Sequence, residues 1–453
     1  MSREHTADAE KTGPLDTFRQ FFALQGDVLV LSLAMFAFSL GFQMTSRFLP
    51  EYIVALGASG FIVGLFGTVG NVISAVFPYP GGAISDRIGS RYALTLFGLI
   101  STLGFGVWLV APTLGTISVA GLTIQPWIWI FVGLLFAQGW KSFGLGATFA
   151  VVKQATDPSR LAAGFASTET FRRTAFLIGP VLAAILIGLH PEFTVSFQYV
   201  LAVAVLFGLL GTVAQHLLYD ATEDALGDSF DGIDQIKRDL REMPAPLRPL
   251  LIGDTLVRFA NGMVYVFFVL VITQFYEVGF ETTISLASVS YVVDLSPAAF
   301  FGYLLGVEML IALVSMAPAA KVAERVGLKP VVALGFAVYA LFPVVLIGGP
   351  AVLAPAISLQ WAMVLIFAFS GLRFAGLPSH KALIVGPAEQ GAGGRVTGTY
   401  YLLRNTIVIP SAALGGYLWE FVSPEIAFSI AAVIGVVGTG YFLLFGEEFE
   451  AYL

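Results

Sequence analysis

Gly81-Gly-Ala-Ile-Ser-Asp-Arg-Ile-Gly-Ser-Arg91 is a polar turn caught between two long apolar runs, approximately Phe61–Ile84 and Tyr92–Ala111. Runs of about 20 residues are long enough to cross a hydrocarbon core roughly 30 Å thick at 1.5 Å per residue. A turn that gathers Asp86, Arg87 and Arg91 within a few positions belongs in water. The chain is therefore expected to cross a membrane, turn sharply and cross back.

The same alternation continues in both directions. Further runs lie at approximately Val28–Pro50, Trp127–Val152, Leu161–Leu189 and Phe197–Leu218 in the first half. The second half has Leu250–Phe275, Pro297–Ala320, Val331–Ile347, Ile357–Ile384, Val396–Phe421 and Ala427–Phe445. Twelve spans are expected, in an all-α membrane protein, because a transmembrane barrel shows short alternating segments instead. The composition agrees. Of 453 residues, 57% are apolar and 12% charged, where a soluble domain carries about 25% charged residues. That little charge cannot cover so much apolar surface, and disordered chains have the opposite balance. The absence of Cys excludes disulfides and thiolate metal sites. A net charge of -7 gives no footprint for nucleic acid.

Cations set the orientation. With both termini in the cytoplasm, sixteen of the 23 Lys and Arg fall in cytoplasmic tails, loops or helix ends, and seven inside spans. None falls in an outer loop, as cytoplasmic retention of positive charge requires. The outer loops carry Glu51, Glu192, Glu277, Glu281, Asp294, Glu420 and Glu425 instead. Met1–Asp16 lacks the apolar stretch of a cleaved signal. The expected division is a tail 1–26, a six-helix bundle 27–218, a linker 219–247, a second bundle 248–446 and a tail 447–453. The protein is expected to be a multi-pass monomer of the plasma membrane.

In the opening turn, Gly82, Asp86, Arg87, Gly89 and Arg91 resemble the G-x-x-x-D-R-x-G-x-R/K signature of the major facilitator superfamily, found between its second and third helices. Glycines there permit a tight turn, and Asp86 is suited to accept from a neighbouring helix N-terminus. The alternative is a plain charged turn. A second copy argues against that. Glu324, Arg325, Gly327 and Lys329 follow Asp86, Arg87, Gly89 and Arg91 at an offset of 238, as Pro318 follows Pro80. The second copy departs from the first with Ala320 for Gly82 and Glu for Asp. Repetition at half-chain spacing fits two parallel six-helix repeats. The resemblance covers essentially all the expected spans and implies two pseudo-symmetric six-helix bundles, with both turns as conformational latches.

Other echoes keep the register. Gly139, Lys141 and Gly144 match Gly371, Arg373 and Gly376 at an offset of 232. Arg173 matches Arg404, each six or seven residues before a proline (Pro180, Pro410) that can bend its helix. Gly60, Gly64, Gly67 and Gly70 form a stripe suited to close helix contact.

Ionised groups inside a bilayer cost several kcal/mol unless paired or hydrated, so each marks a candidate site. The cations are Arg47, Lys141, Arg172, Arg173, Arg258, Arg373 and Arg404; the acids are Glu169, Asp254 and Glu308. Local spacing pairs Glu169 with Arg172 and Arg173, and Asp254 with Arg258. Arg404 joins these ion pairs as the counterpart of Arg173, and Arg47 is read as snorkelling to the outer surface. Lys141 and Arg373 lack a nearby acid in sequence. In the resembled fold, helices one, four, seven and ten line a central cavity, which implies that these two cations face each other and hold an anion. The alternative pairs them with Glu308 and Glu169 across helices. Gln43, Gln138, Asn261 and Tyr265, with Tyr400 and Asn405, are candidate cavity residues, and Trp140 and Trp361 candidate walls. Glu308 is the first candidate proton carrier, with Glu169 the second.

The expected function is secondary active transport of a small solute by alternating access. Proton coupling is what the resemblance implies, and the cationic site favours an anion. Multidrug-type efflux is the alternative, weakened because Leu135 precedes Gln138-Gly139 where that branch carries Arg, and because Ala183 and Ala184 replace its helix-five glycines. A receptor that binds without turnover is a third reading. An enzyme is not expected: His5, His190, His216 and His380 are dispersed, and no nucleotide-cradling or metalloprotease sequence is present. No cofactor or metal is expected.

Overall fold

The computed structural model describes residues 26–77, 84, 87–119, 122–143, 161–219, 241, 243–245, 247–286, 289–385 and 393–448. Gly82 and Asp86, the expected tails apart from Gly26, Glu447 and Glu448, and most of the expected linker lie outside the described residues, and so do the side chains of Glu169, Arg172 and Arg173.

The chain is mostly helical. In the first half the helices are α1 (Gly26–Thr45), α2 (Leu49–Ala55), α3 (Gly60–Val76), α4 (Ser90–Leu114), α5 (Ile128–Gln138), α6 (Leu161–Ile187) and α7 (Phe193–Leu218). The second half has α8 (Leu247–Val264), α9 (Pro297–Val326), α10 (Leu328–Leu353), α11 (Leu359–Gly371), α12 (Leu377–Val385), α13 (Gly393–Val408), α14 (Ser411–Phe421) and α15 (Pro424–Phe445). Among the described residues, seven helical stretches are long and apolar enough to cross a membrane, and four shorter apolar helices accompany them.

Prolines explain several boundaries. Pro50 sits in the first turn of α2, where its missing N–H costs nothing, so α1 ends before it. Pro410 separates α13 from α14, whereas Pro180 stays inside a continuous α6. The all-α expectation needs one correction. Among the described residues two antiparallel hairpins occur, β1 (Ile117–Val119) with β2 (Leu122–Ile124) and β3 (Phe280–Leu286) with β4 (Val289–Leu295). The β-branched residues of Thr282-Thr283-Ile284 and Val292-Val293 favour extended backbone.

Helix α1 packs on α6 and α7, α7 on α4, and α4 on α5. Farther along the chain, α8 and α10 pack on α15, and α9 packs on α11. The two groups meet along two seams, α3 against α14 and α6 against α9. Glycine makes both close approaches possible. A methyl built on Gly64 would lie 2.5 Å from the Ala412 carbonyl oxygen, and one on Gly302 2.6 Å from that of Pro180. Near the acidic end, Thr273 and Gln274 donate to Glu51 Oε2 at 2.5 and 3.1 Å, and Gly60 N–H donates to Glu420 at 3.0 Å. Phe48 meets Phe301 edge-on there, ring centroids 5.6 Å apart.

At the opposite, basic end, Gly89 and Gly327 adopt the same left-handed backbone, φ 84° with ψ 153° and φ 91° with ψ 166°. Each stands immediately before a helix, so the sequence echo is matched in backbone geometry. Leu328 and Lys329 N–H donate to the Glu448 carboxylate at 3.0 and 2.8 Å. An acid from the far end of the chain thus holds that helix N-terminus, while Glu324 and Arg325 are exposed. Arg91 donates from Nε to the His216 carbonyl at 2.8 Å, and Arg87 is exposed.

Candidate functional site

A cavity of about 250 Å³ opens where α1, α6, α8, α9 and α10 converge on the turn Leu372–Phe374 that follows α11. Its polar lining is Gln43, Arg47, Arg258, Asn261, Tyr265, Tyr339 and Arg373. A second cavity of about 190 Å³ shares Arg258, Asn261 and Tyr265 with the first and adds Asn71, Arg404 and Asn405. Both therefore draw on helices from each group.

Arg373 stands at the break where the α-helix tightens into one 3₁₀ turn. The side chain is sealed from solvent, and Nη2 donates to Glu308 Oε1 at 2.7 Å. Phe268, Tyr339, Phe342 and Phe374 surround its guanidinium at 4.9 to 5.9 Å from their ring centroids. That cage fixes the group by cation–π attraction. Nε and Nη1 lack a hydrogen-bond partner in the protein. Buried donors left unpaired are costly. Both nitrogens are buried, in a residue that lines the cavity.

Glu308, fully buried on α9, is shared by three side chains. Besides Arg373 it accepts from Ser370 Oγ at 3.0 Å and lies 3.6 Å from Arg47 Nη2. Arg47 comes from α1's end of the first group and stacks over Tyr265, 4.0 Å from the ring centroid. One carboxylate thus ties a guanidinium from each group of helices.

Asp254 on α8 organises the second centre. It accepts from Arg258 Nε at 3.2 Å, Arg404 Nη1 at 3.0 Å and Tyr400 OH at 3.0 Å. His380 Nε2 approaches the same carboxylate at 3.3 Å. Arg404 also donates from Nε and Nη2 to Asn405 Oδ1 at 3.2 and 3.0 Å. Among the described residues, no group of three or more His, Asp or Glu is disposed to hold a metal.

The expected residues divide as follows. Arg373, Gln43, Asn261 and Tyr265 line the first cavity; Asp254, Arg258 and Arg404 form one ion-pair cluster, with Arg404 drawn across from α13. Lys141 is not among the residues that line either cavity. It occupies a π-helical turn, Gly139–Phe143, is exposed, and has Nζ 5.8 Å from the Phe42 ring centroid. The wider π turn rotates the side chains that follow it, a local change that the repeat offset cannot reveal. Gln138, just before this turn, lines neither cavity, and its Oε1 is buried without a hydrogen-bond partner. Trp140 is buried in a stack on Phe38, and Trp361 is half exposed beside Phe280.

Two further corrections concern basic residues. Arg47 turns inward to Glu308 instead of snorkelling, because an unsolvated carboxylate outbids distant water for its guanidinium. His380, read as dispersed with the other histidines, is buried against Asp254. Tyr339 was not visible as a site residue from sequence, since a single Tyr in an apolar helix reads as packing.

The family model described as Major Facilitator Superfamily matches residues 31–296. Two uncharacterised MFS-type transporters of Mycobacterium tuberculosis, from strains CDC 1551 and H37Rv, are each 30% identical over 187 residues. That match covers 41% of this chain and 40% of each relative, so the chain spans under half the length of those relatives. Among solved structures, a point mutant of the nucleoside transporter NupG aligns with a TM-score of 0.71 at 12% identity, covering 93% of this chain and all of that one. A POT family transporter in complex with 5-aminolevulinic acid aligns with a TM-score of 0.68 at 14% identity, covering 94% and 99%.

Proposed function

The chain belongs to the major facilitator superfamily, and we propose that it is a proton-coupled secondary transporter that moves a small anion by alternating access. The membership makes it a membrane transporter and not an enzyme. The twelve-span architecture, in two six-helix halves with both termini cytoplasmic, is part of this reading. It is supported by the two helix groups, the paired Gly89 and Gly327 turns and the seams between the groups.

The single observation that carries the substrate class is Arg373: buried, anchored through one nitrogen to Glu308, and facing the cavity beside Arg47 and Arg258. In this reading Arg47 and Arg258, which line the cavity with it, take the place expected from sequence for Lys141. The coupling follows from competition. Ionised Glu308 occupies the guanidinium groups that an anionic substrate needs. A proton on Glu308 removes that competitor, so proton and anion bind with positive coupling, and the coupling is reciprocal. Symport is the outcome. Glu169 keeps its place as second carrier from sequence spacing alone. Efflux of lipophilic cations fits less well, since three arginines repel a cation at the cavity wall.

Proteoliposomes with an imposed pH gradient test the reading. Uptake of a radiolabelled anion from a carboxylate panel is expected when the outside is acidic. Transport of tetraphenylphosphonium with no anion uptake overturns it.

A further inference from the structure

The two cavities each hold more guanidinium charge than carboxylate. In the first, Arg47 and Arg373 face Glu308; in the second, Arg258 and Arg404 face Asp254. Even with both acids ionised, each centre keeps one positive charge beyond its acid among the described side chains. A neutral His380 adds none, and a protonated one adds to the excess. The centres are not independent, because Arg258, Asn261 and Tyr265 line both cavities. These three shared residues place the two cavities side by side.

We infer that the substrate is a dianion, carrying two separated anionic groups, one held by Arg47 and Arg373 and the other by Arg258 and Arg404. This deepens the anion reading above and rests on it. The second centre contributes what the first cannot. Arg404 spends two of its nitrogens on Asn405 and one on Asp254, which holds its fork in the wall of the second cavity. Asn71 and Asn261, whose amides can donate, line the same cavity. A monoanion seated at Arg373 leaves the second excess charge uncompensated, whereas a dicarboxylate neutralises both. Preference for the dianion is an electrostatic match of two charges to two charges.

The experiment compares matched pairs on the purified protein: succinate against butyrate, and glutarate against valerate, by calorimetric binding at the lowest pH at which every ligand carboxyl is still ionised. Each dianion is expected to bind at least about tenfold tighter than its monoanion, the scale of one further charge-assisted contact. Asn405→Asp places a carboxylate on Arg404 while keeping its partner, and is expected to erase most of that ratio. Equal affinity within the wild-type pairs overturns the inference, whatever the variant does, and so does an unchanged ratio in a folded Asn405→Asp protein. Monoanion binding without dianion preference sinks the dianion alone and leaves the anion transporter standing. Binding of neither series sinks both.

Discussion

Gly64 and Gly416 meet backbone to backbone across the α3–α14 seam: a methyl built on Gly64 would lie 2.7 Å from the Gly416 Cα, and one on Gly416 2.8 Å from the Gly64 Cα. Neither position tolerates a side chain while the seam is shut. The same seam carries the Gly60–Glu420 hydrogen bond and one from Ala413 N–H to Thr68 Oγ1 at 2.9 Å. It closes the acidic end of the molecule.

Gly64→Val is therefore expected to disfavour the closed seam by about 1–3 kcal/mol, the usual cost of overpacking. Transport should fall by about tenfold or more while the protein stays folded, because each helix still has its own group to pack against. The chain has no Cys, so single-cysteine labelling is free of background. A cysteine at Thr68 should react faster with an impermeant maleimide in the Gly64→Val protein. An unchanged rate would show that the seam does not gate access.

Glu308→Gln removes the charge that competes for Arg373 and Arg47 while keeping an acceptor for Ser370. Anion affinity at neutral pH should rise and lose its pH dependence, and accumulation driven by a pH gradient should vanish while counterflow persists. Retained accumulation would exclude Glu308 as the proton carrier. Glu308→Ala should also destabilise the protein by about 3–5 kcal/mol, since it strands a buried guanidinium.

Arg47→Gln should weaken anion binding by roughly tenfold, a charge-assisted contact, with little change in folding because Arg373 and Ser370 still satisfy Glu308. Lys141→Ala, at an exposed position outside both cavities, should change affinity by less than about twofold. Affinity measured on both variants decides between them. A large loss in Lys141→Ala with none in Arg47→Gln would restore the pairing expected from sequence.

Glu51 lies beyond the first span and binds Thr273 and Gln274 on the other helix group. Burial pushes its carboxyl above the usual carboxylate range, and the two donors only partly offset this. The folded, closed form therefore holds its proton to higher pH than an opened or unfolded one. Its contribution to closure is fully present below the ordinary carboxylate value and is lost as pH rises through the raised one. Labelling of a cysteine at Ser59 should accelerate with pH across that window, and Glu51→Gln should flatten the profile. A wild-type rate that falls with pH would refute the sign.

Legibility varied with the range of the interaction that fixes each residue. The helical membrane protein and its family could be read from apolar run length and the turn at Gly82–Arg91, because bilayer thickness and turn geometry are local constraints. The Asp254–Arg258 pair was legible for the same reason, being four residues apart on one helix. Glu308 with Arg373 stood only as an alternative in sequence, since 65 residues separate them. The two β-hairpins were missed because short β-branched segments leave no long-range pattern.

Chain composition alone determined that this protein lives in a bilayer, and the spacing of its echoes pointed to two related halves, since each depends on neighbours along the polypeptide. Which arginines face the cavity was decided only in three dimensions. A π turn carries Lys141 to an exposed position, a buried carboxylate draws Arg47 inward, and Asp254 gathers Arg404 and His380 from distant helices. Charges in a low-dielectric interior go where a counter-charge is, and that partner's place is set by packing.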